Sequence, residues 1–367
     1  MAYDDSLLGP GARPPVDTSS DQQPRRRHRH TGARPTDAPP VRRGVTGTRA
    51  VIGPVITVLT VGLAFISMFL AAFHTPSAHR LPVAVAASDQ AAALFDVKAQ
   101  RLAPEAFQIE RYPDEASARS AVEHRDAYAA YLLDDGRPKL LYAGANGPAV
   151  TALVTPLAAL PNGDGHKTPV EDVLPLSSDD SRGLSVFYAS FGLVLAGFLF
   201  GQVTYQVAPR LSFNQRVLSL GLFAVLGGLA TTLIACTAFG AIPGSFFGIF
   251  AIVTLLAGAV GSATVALIRT FGAVGAPLSS IFMLIVGNAT SGGVLPPSFL
   301  PSWLQPLAFV MPSGVGVRAL DGLAYFHHDG LGSGVVILSA WIAACVGVLY
   351  ALDRIAASTG VVHAANR

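Results

Sequence analysis

Four places in the chain hold residue types that do chemistry elsewhere. "NGDGHKT" at 162–168 has the glycines, lysine and threonine of a phosphate-binding loop. Such a loop needs Gly-Lys-Ser/Thr contiguous at the head of a helix, so that backbone amides and the lysine meet one phosphate. Here His166 separates Gly165 from Lys167, and the spacing fails. His327, His328 and Asp329 are metal-ligand types, but adjacent residues point apart and no second pair is near, so they read as a solvated loop. Glu123 and His124 in "EHRD" (123–126) read as surface residues of an exposed helix rather than an acid and a base. The fourth place is the interior of the apolar runs, where ion-driven transport normally keeps ionisable groups at ~2.5–3.5 kcal/mol each on insertion scales. No Asp, Glu, Lys or Arg lies inside them. The sequence therefore offers no catalytic set, metal site or cofactor site, and argues against a proton or sodium antiporter.

The elements around these residues follow from composition. Of 367 residues, 51% are hydrophobic and 13% charged, against roughly a quarter charged in a soluble domain. Between Arg182 and Leu320 the only charges are Arg210, Arg216, Arg269 and Arg318. That stretch is built for lipid. Lysine occurs only at 98, 139 and 167 while arginine, alanine and glycine abound, the bias of a high-G+C bacterial genome. Cys236 and Cys345 both fall in apolar runs, which leaves no disulfide framework or zinc spacing.

Residues 1–49 are rich in Pro, Arg, Asp and Ser and include "PRRRHRH" at 24–30. Such a segment cannot bury enough apolar surface to offset chain entropy and is expected to be a disordered, basic cytoplasmic arm. Its arginines, with no aromatics between them, suit lipid contact and topology control rather than nucleic acid. A first transmembrane helix is expected over 50–73, since ~20 apolar residues span the hydrocarbon core and a cleaved signal would be shorter and earlier. Further apolar runs cover 183–207, 217–240, 246–268, 271–289 and 332–352. The fold class is thus an α-helical polytopic membrane protein with six transmembrane helices and both termini cytoplasmic, residues 353–367 forming a tail. Arg210, Arg216, Arg269 and Arg354 on the inner side support that orientation.

Residues 74–182 read as an extracytoplasmic α/β domain between spans 1 and 2. Strands are expected at 81–86 and 107–112, helices at 88–102 and 114–126, a hairpin turning at Asp135–Gly136, and a third helix at 148–160. Within the spans, small residues recur at spacing four: Gly197 with Gly201, Ala224 with Gly228, Ala257 with Gly261, and Gly258 with Ser262. Such pairs let backbones approach closely, either inside one bundle or along a dimer seam.

The segment 291–315 is apolar yet interrupted by Pro296, Pro297, Pro301, Pro306 and Pro312. Proline lacks an N–H and clashes with the preceding turn, so a continuous helix is forbidden. Short helices or a re-entrant outer hairpin are expected, with Trp303 and Phe299 near headgroup level.

A short fifth run, then "SGGVLPPSFLPSWLQPLAFVMPSGVGVRALDGLAYF", then a last run resembles the C-terminal part of type-2 ABC transporter permeases. The matching pieces are Leu300–Pro301, Met311–Pro312 and Arg318–Ala319–Leu320. One span, an outer α/β domain and five more spans (183–352) is similar to the branch holding phage-infection-protein-like membrane proteins, a resemblance covering about 50–352. It implies a homodimeric exporter subunit of the bacterial cell membrane, driven by ATP bound to a separate cytosolic ABC ATPase. It also implies coupling through the loop 208–216, with Arg210, Asn214 and Arg216 as contact residues. An amphiphilic or lipid-like substrate fits the sparse polar residues of the spans. The other reading is a non-transporting envelope scaffold acting through its outer domain.

Overall fold

The computed structural model describes residues 48–134, 137–160 and 168–365. The basic arm through residue 47, the Asp135–Gly136 turn and all but the end of "NGDGHKT" lie outside the described residues.

Helix α1 (Thr48–Phe73) leads into a domain of five strands and three helices. Its elements are β1 (Leu81–Ala86), α2 (Asp89–Leu102), β2 (Phe107–Arg111), α3 (Glu115–Glu123), β3 (Ala129–Asp134), β4 (Arg137–Tyr142), α4 (Pro148–Val154) and β5 (Val170–Asp172). The sheet order is β2-β1-β3-β4-β5, with β1 parallel to both neighbours, β3–β4 an antiparallel hairpin and β5 parallel to β4. Side chains alternate across a strand, so Leu81, Val83 and Val85 face Phe95 and Ala99 of α2 and Val150 and Val154 of α4. Ala84 faces the other way, onto Ala118, Ala121 and Val122 of α3. The helix starts are chemically marked: Ser88 accepts from the Ala91 amide, and Asp114 forms a reciprocal box with Ser117. The expected strands and helices are present, and β5 is an addition, since "VED" is too short to show alternation.

The rest is helical: α5 (Ser185–Val207), α6 (Phe213–Thr232, extended by a π-turn over Leu233–Ala238), α7 (Phe246–Phe271), α8 (Gly275–Ser279), α9 (Gly287–Ala289), α10 (Pro312–Ala324) and α11 (Leu331–Ala365). Among the described residues five helical stretches are long and apolar enough to cross a membrane: 51–73, 185–207, 213–238, 246–289 and 331–358. A multi-pass membrane protein follows from them. The expected run 271–289 is not a separate helix of that length; it is joined in the 44-residue stretch 246–289. As a rod that stretch would measure ~66 Å, but α7 ends at Gly272, whose φ of 61° few other residues adopt. Beyond it a Cβ on Gly275 would meet the Leu267 carbonyl and Ile268 Cα. The chain has folded back onto the last turn of α7, then continues through α8, a π-turn (Ser280–Val286) and α9. Helix α11 continues unbroken past Leu352 to Ala365, so the segment expected as a tail is helical over its described residues.

Helix α7 is the centre of the bundle, buried on nearly every side by α5, α6 and α11. Glycines set the approach. A Cβ on Gly197 would lie 3.0 Å from Val260, one on Gly201 would strike Thr264, and one on Gly228 would strike Thr254. Gly261 faces Leu220, while Gly258 faces Ile342 and Ala224. These small residues serve packing inside the chain, one of the two uses expected for them. Helix α1 stands apart, touching the rest through Met68, Phe69 and Ala72 against Ala289, Leu300 and Leu304.

Candidate functional site

Two stretches of the helical part reach into the α/β domain, one on each face of the sheet. The proline-broken segment forms two short 3-10 turns, Pro297–Phe299 and Gln305–Phe309. It inserts Phe299 among Leu81, Phe107 and Leu157. The α10–α11 loop inserts Phe326, only 1% exposed, among Ala118, Leu132 and Ala143 on the opposite face. Fully burying one such ring stabilises by about 1.5–3 kcal/mol. The domain is gripped from both sides.

Beside Phe326 sits an ion cluster. Helix α3 ends with the Asp126 amide bonded to the Ala121 carbonyl and the Arg125 amide to that of Val122, the double closure of a Schellman motif. Glycine normally holds the left-handed position of that motif. Here it is Arg125, at φ 60°, a strain of about 1–2 kcal/mol. The guanidinium explains its retention. Its Nε and Nη2 donate to the Asp329 carboxylate at 2.8 and 2.7 Å, and Nη2 also reaches the carbonyls of Arg318 and Asp329 at 2.9 and 3.0 Å. The ring of Phe326 lies 4.5 Å beneath it. Arg318 Nη2 donates to the same Asp329 oxygen at 2.8 Å, and Asp321 stands 4.0 Å from Arg125. The receiving loop is equally tight: His327 and His328 have φ of 49° and 69°. A Cβ on Gly322 would strike the Asp329 carbonyl.

Burial pulls the Arg125 pKa down while Asp321 and Asp329 oppose the fall; an arginine stays charged throughout. Burial pushes the Asp321 carboxyl up to about 6, with Arg125 opposing and Asp180 adding to the rise. Burial likewise raises the Tyr128 phenol, against a hydrogen bond with Ser298.

A cavity of about 70 Å³ opens against this cluster, walled by Arg125, Arg318, Arg182, Asn146, Asp321 and the Ser291–Val294 turn. A second cluster lies farther along α11, at Asp353. Arg216 is buried and donates to Asp353 at 3.1 Å and to the Leu211 carbonyl at 2.9 Å, and Arg269 reaches the other Asp353 oxygen at 3.3 Å.

Of the residues singled out from sequence, Arg210 is exposed on the loop before α6 and Asn214 is exposed in the first turn of α6. Arg216 is not; it is committed to Asp353. Pro296 and Pro297 begin the first 3-10 turn, Pro301 begins the next turn, and Pro312 starts α10. Trp303 is 63% exposed and Arg318 belongs to the ion cluster. Asp329 is the hub of that cluster, not a solvated loop residue, and Arg125 of "EHRD" has a side chain only 9% exposed. Sequence reasoning missed Arg125, Asp329, Phe326 and Asp353. The one available signal was an arginine in "EHRD" where the helix end calls for glycine. His124 and His327 do come together, their rings 5.7 Å apart. Among the described residues no three metal-ligating side chains converge.

Comparison with protein-family models returns no match, and comparison with curated proteins returns none.

Proposed function

We propose that the chain is the membrane-spanning permease subunit of an ABC-type exporter, moving an amphiphilic or lipid-like substrate outward with energy from a separate ATPase. In this reading the chain crosses a bacterial cell membrane six times. The fold-back at Gly272 turns the stretch 246–289 into two crossings, and both termini lie inside. The α/β domain and the α10–α11 loop then lie outside, while the 208–216 loop and Asp353 lie inside.

The observation that carries the reading is α11. One unbroken helix joins the Asp329 end, locked to the α/β domain, to Asp353, locked to the start of α6. From Leu331 to Asp353 it spans ~33 Å. A push on the inner loop would therefore reach the outer domain through a rigid element held by an ion pair at each end. The exposed Arg210 and Asn214 supply the surface on which an ATPase would push. Helix α7, buried on nearly every side, supplies the fixed frame.

One observation favours the scaffold alternative. The hydroxyls of Thr232, Ser262, Ser279 and Thr290 donate to carbonyls of their own helices rather than facing a water path. The two readings separate on a loop variant. Arg210→Glu with Asn214→Ala is expected to abolish ATP-dependent efflux of an amphiphilic dye while leaving the membrane level of the chain unchanged. Efflux at the wild-type rate would remove the loop from the mechanism.

A further inference from the structure

The cavity at the joint has more hydrogen-bond donors than its walls can satisfy. The Asn146 side-chain nitrogen is buried with no partner, a state that costs about 1–3 kcal/mol unless something fills it. Arg182, exposed at the cavity edge, makes no side-chain ion pair or hydrogen bond among the described residues, so its guanidinium is available to a ligand there. Arg318 spends only its Nη2 on Asp329, leaving Nε and Nη1 directed elsewhere, with the Phe309 ring 5.6 Å from its guanidinium.

The nearby carboxylates are already committed. Asp180 accepts from the amides of Leu184 and Ser185 at 3.1–3.2 Å and so caps α5. Asp329 is shared by two arginines. Only Asp321 remains, and burial holds its proton to pH about 6. The donors that line the cavity match an anion with several acceptor oxygens. The volume of about 70 Å³ holds a few waters or one phosphate group.

The rim says where such a group comes from. Val294 and Phe309 line the cavity and are themselves about half exposed, and Val310, next to Phe309 in the chain, is more so. A dissolved phosphate needs no apolar rim, whereas a phospholipid presents acyl chains beside its phosphate.

We propose that this cavity binds a phosphate-bearing anion through Arg182, Arg318 and Asn146, and that its ligand is the headgroup of an anionic phospholipid whose acyl chains lie along the exposed apolar rim at Val294, Phe309 and Val310. As a binding site the inference stands alone; as the identity of an exported substrate it rests on the exporter reading. Charge-assisted hydrogen bonds from arginine to phosphate are the strong ones, so removing one donor is expected to weaken binding about tenfold.

The test uses the full chain in mild detergent and native mass spectrometry with phosphatidylglycerol against phosphatidylcholine of the same acyl chains. Inorganic phosphate is added as a competitor. Arg182→Gln and Asn146→Ala are the variants, because neither side chain takes part in the ion cluster that holds the domain. The expected result is preferential retention of phosphatidylglycerol, reduced about tenfold in each variant, with phosphatidylcholine unchanged. Retention should also rise from pH 7.5 to 5.5 as Asp321 takes up its proton, and Asp321→Asn should flatten that rise. The phosphodiester is ionised throughout, so the change belongs to the protein. Binding of inorganic phosphate alone, lost in both variants, would support the anion site and overturn its lipid source. Equal retention of the two lipids with no phosphate binding, or phosphatidylglycerol retention untouched by both variants, would overturn the site. A phosphatidylglycerol site in a chain that recruits no ATPase would keep the site and defeat the export reading, so the two failures are distinguishable.

Discussion

Arg125 is the residue whose loss should most clearly release the α/β domain. Arg125→Ala removes a guanidinium 9% exposed that is bonded to Asp329 at 2.7 Å and to two carbonyls at 2.9 and 3.0 Å. Breaking a buried pair from one side costs about 3–5 kcal/mol. Here the lower end applies, since Arg318 still holds Asp329 at 2.8 Å. Arg125→Gly deletes the same contacts but suits the φ of 60°, and should recover about 1 kcal/mol of backbone strain. The assay is hydrogen exchange by mass spectrometry on segments 118–127 and 321–331. At 1.36 kcal/mol per factor of ten, a loss of about 3 kcal/mol raises local exchange more than 100-fold in the alanine variant. The glycine variant should exchange about five- to tenfold more slowly than the alanine one. Equal exchange in wild type and both variants would refute the clamp. A glycine variant looser than the alanine one would refute the strain argument.

Three further outcomes are expected. Phe326→Ala, which empties a fully buried ring site on the α3 face of the sheet, should cost about 3–5 kcal/mol and expose the domain to added trypsin; resistance equal to wild type would remove Phe326 from the joint. Gly201→Val would drive side-chain atoms into Thr264 and should lose about 1–3 kcal/mol of thermal stability in detergent. Gly221→Ala, with nothing within 4 Å of the added carbon, should gain up to about 1 kcal/mol; equal shifts would contradict the packing around α7. The folded pKa of Asp321 lies above its ordinary 3.8, at about 6, so the fold binds that proton more tightly than the unfolded chain. Stability is then full below pH ~4 and falls by up to about 3 kcal/mol as pH rises through 6. Asp321→Asn should flatten the melting temperature between pH 5 and 7.5, and an unchanged slope would show that another group titrates.

The α/β elements were legible because β2 alternates apolar with polar, Ser88 and Asp114 are helix caps, and apolar runs stop at turn residues. The break at 291–311 was legible because proline cannot be accommodated in a continuing helix. The fold-back at Gly272 was half legible: Gly272, Gly275 and Pro277 softened the run, but no local rule says that the chain reverses there. The joint was hardly legible at all. Arg125 and Asp329 are 204 positions apart, and pairing at that separation leaves no mark in either neighbourhood. Asp353 looked like the start of a polar tail because its partner, Arg216, looked like a topology signal. Each charge made sense alone, and only the fold shows that each of the two aspartates is shared by two arginines.

The measurement closest to the exporter claim is gentle-detergent purification of the full chain from its native membrane, with mass spectrometry of everything retained and an ATP-hydrolysis assay. The expected result is a stoichiometric P-loop ATPase whose activity depends on this chain and falls with Arg210→Glu. A clean preparation that retains no ATPase, or retains only other envelope proteins, would contradict export and leave the α/β domain as a rigidly mounted scaffold.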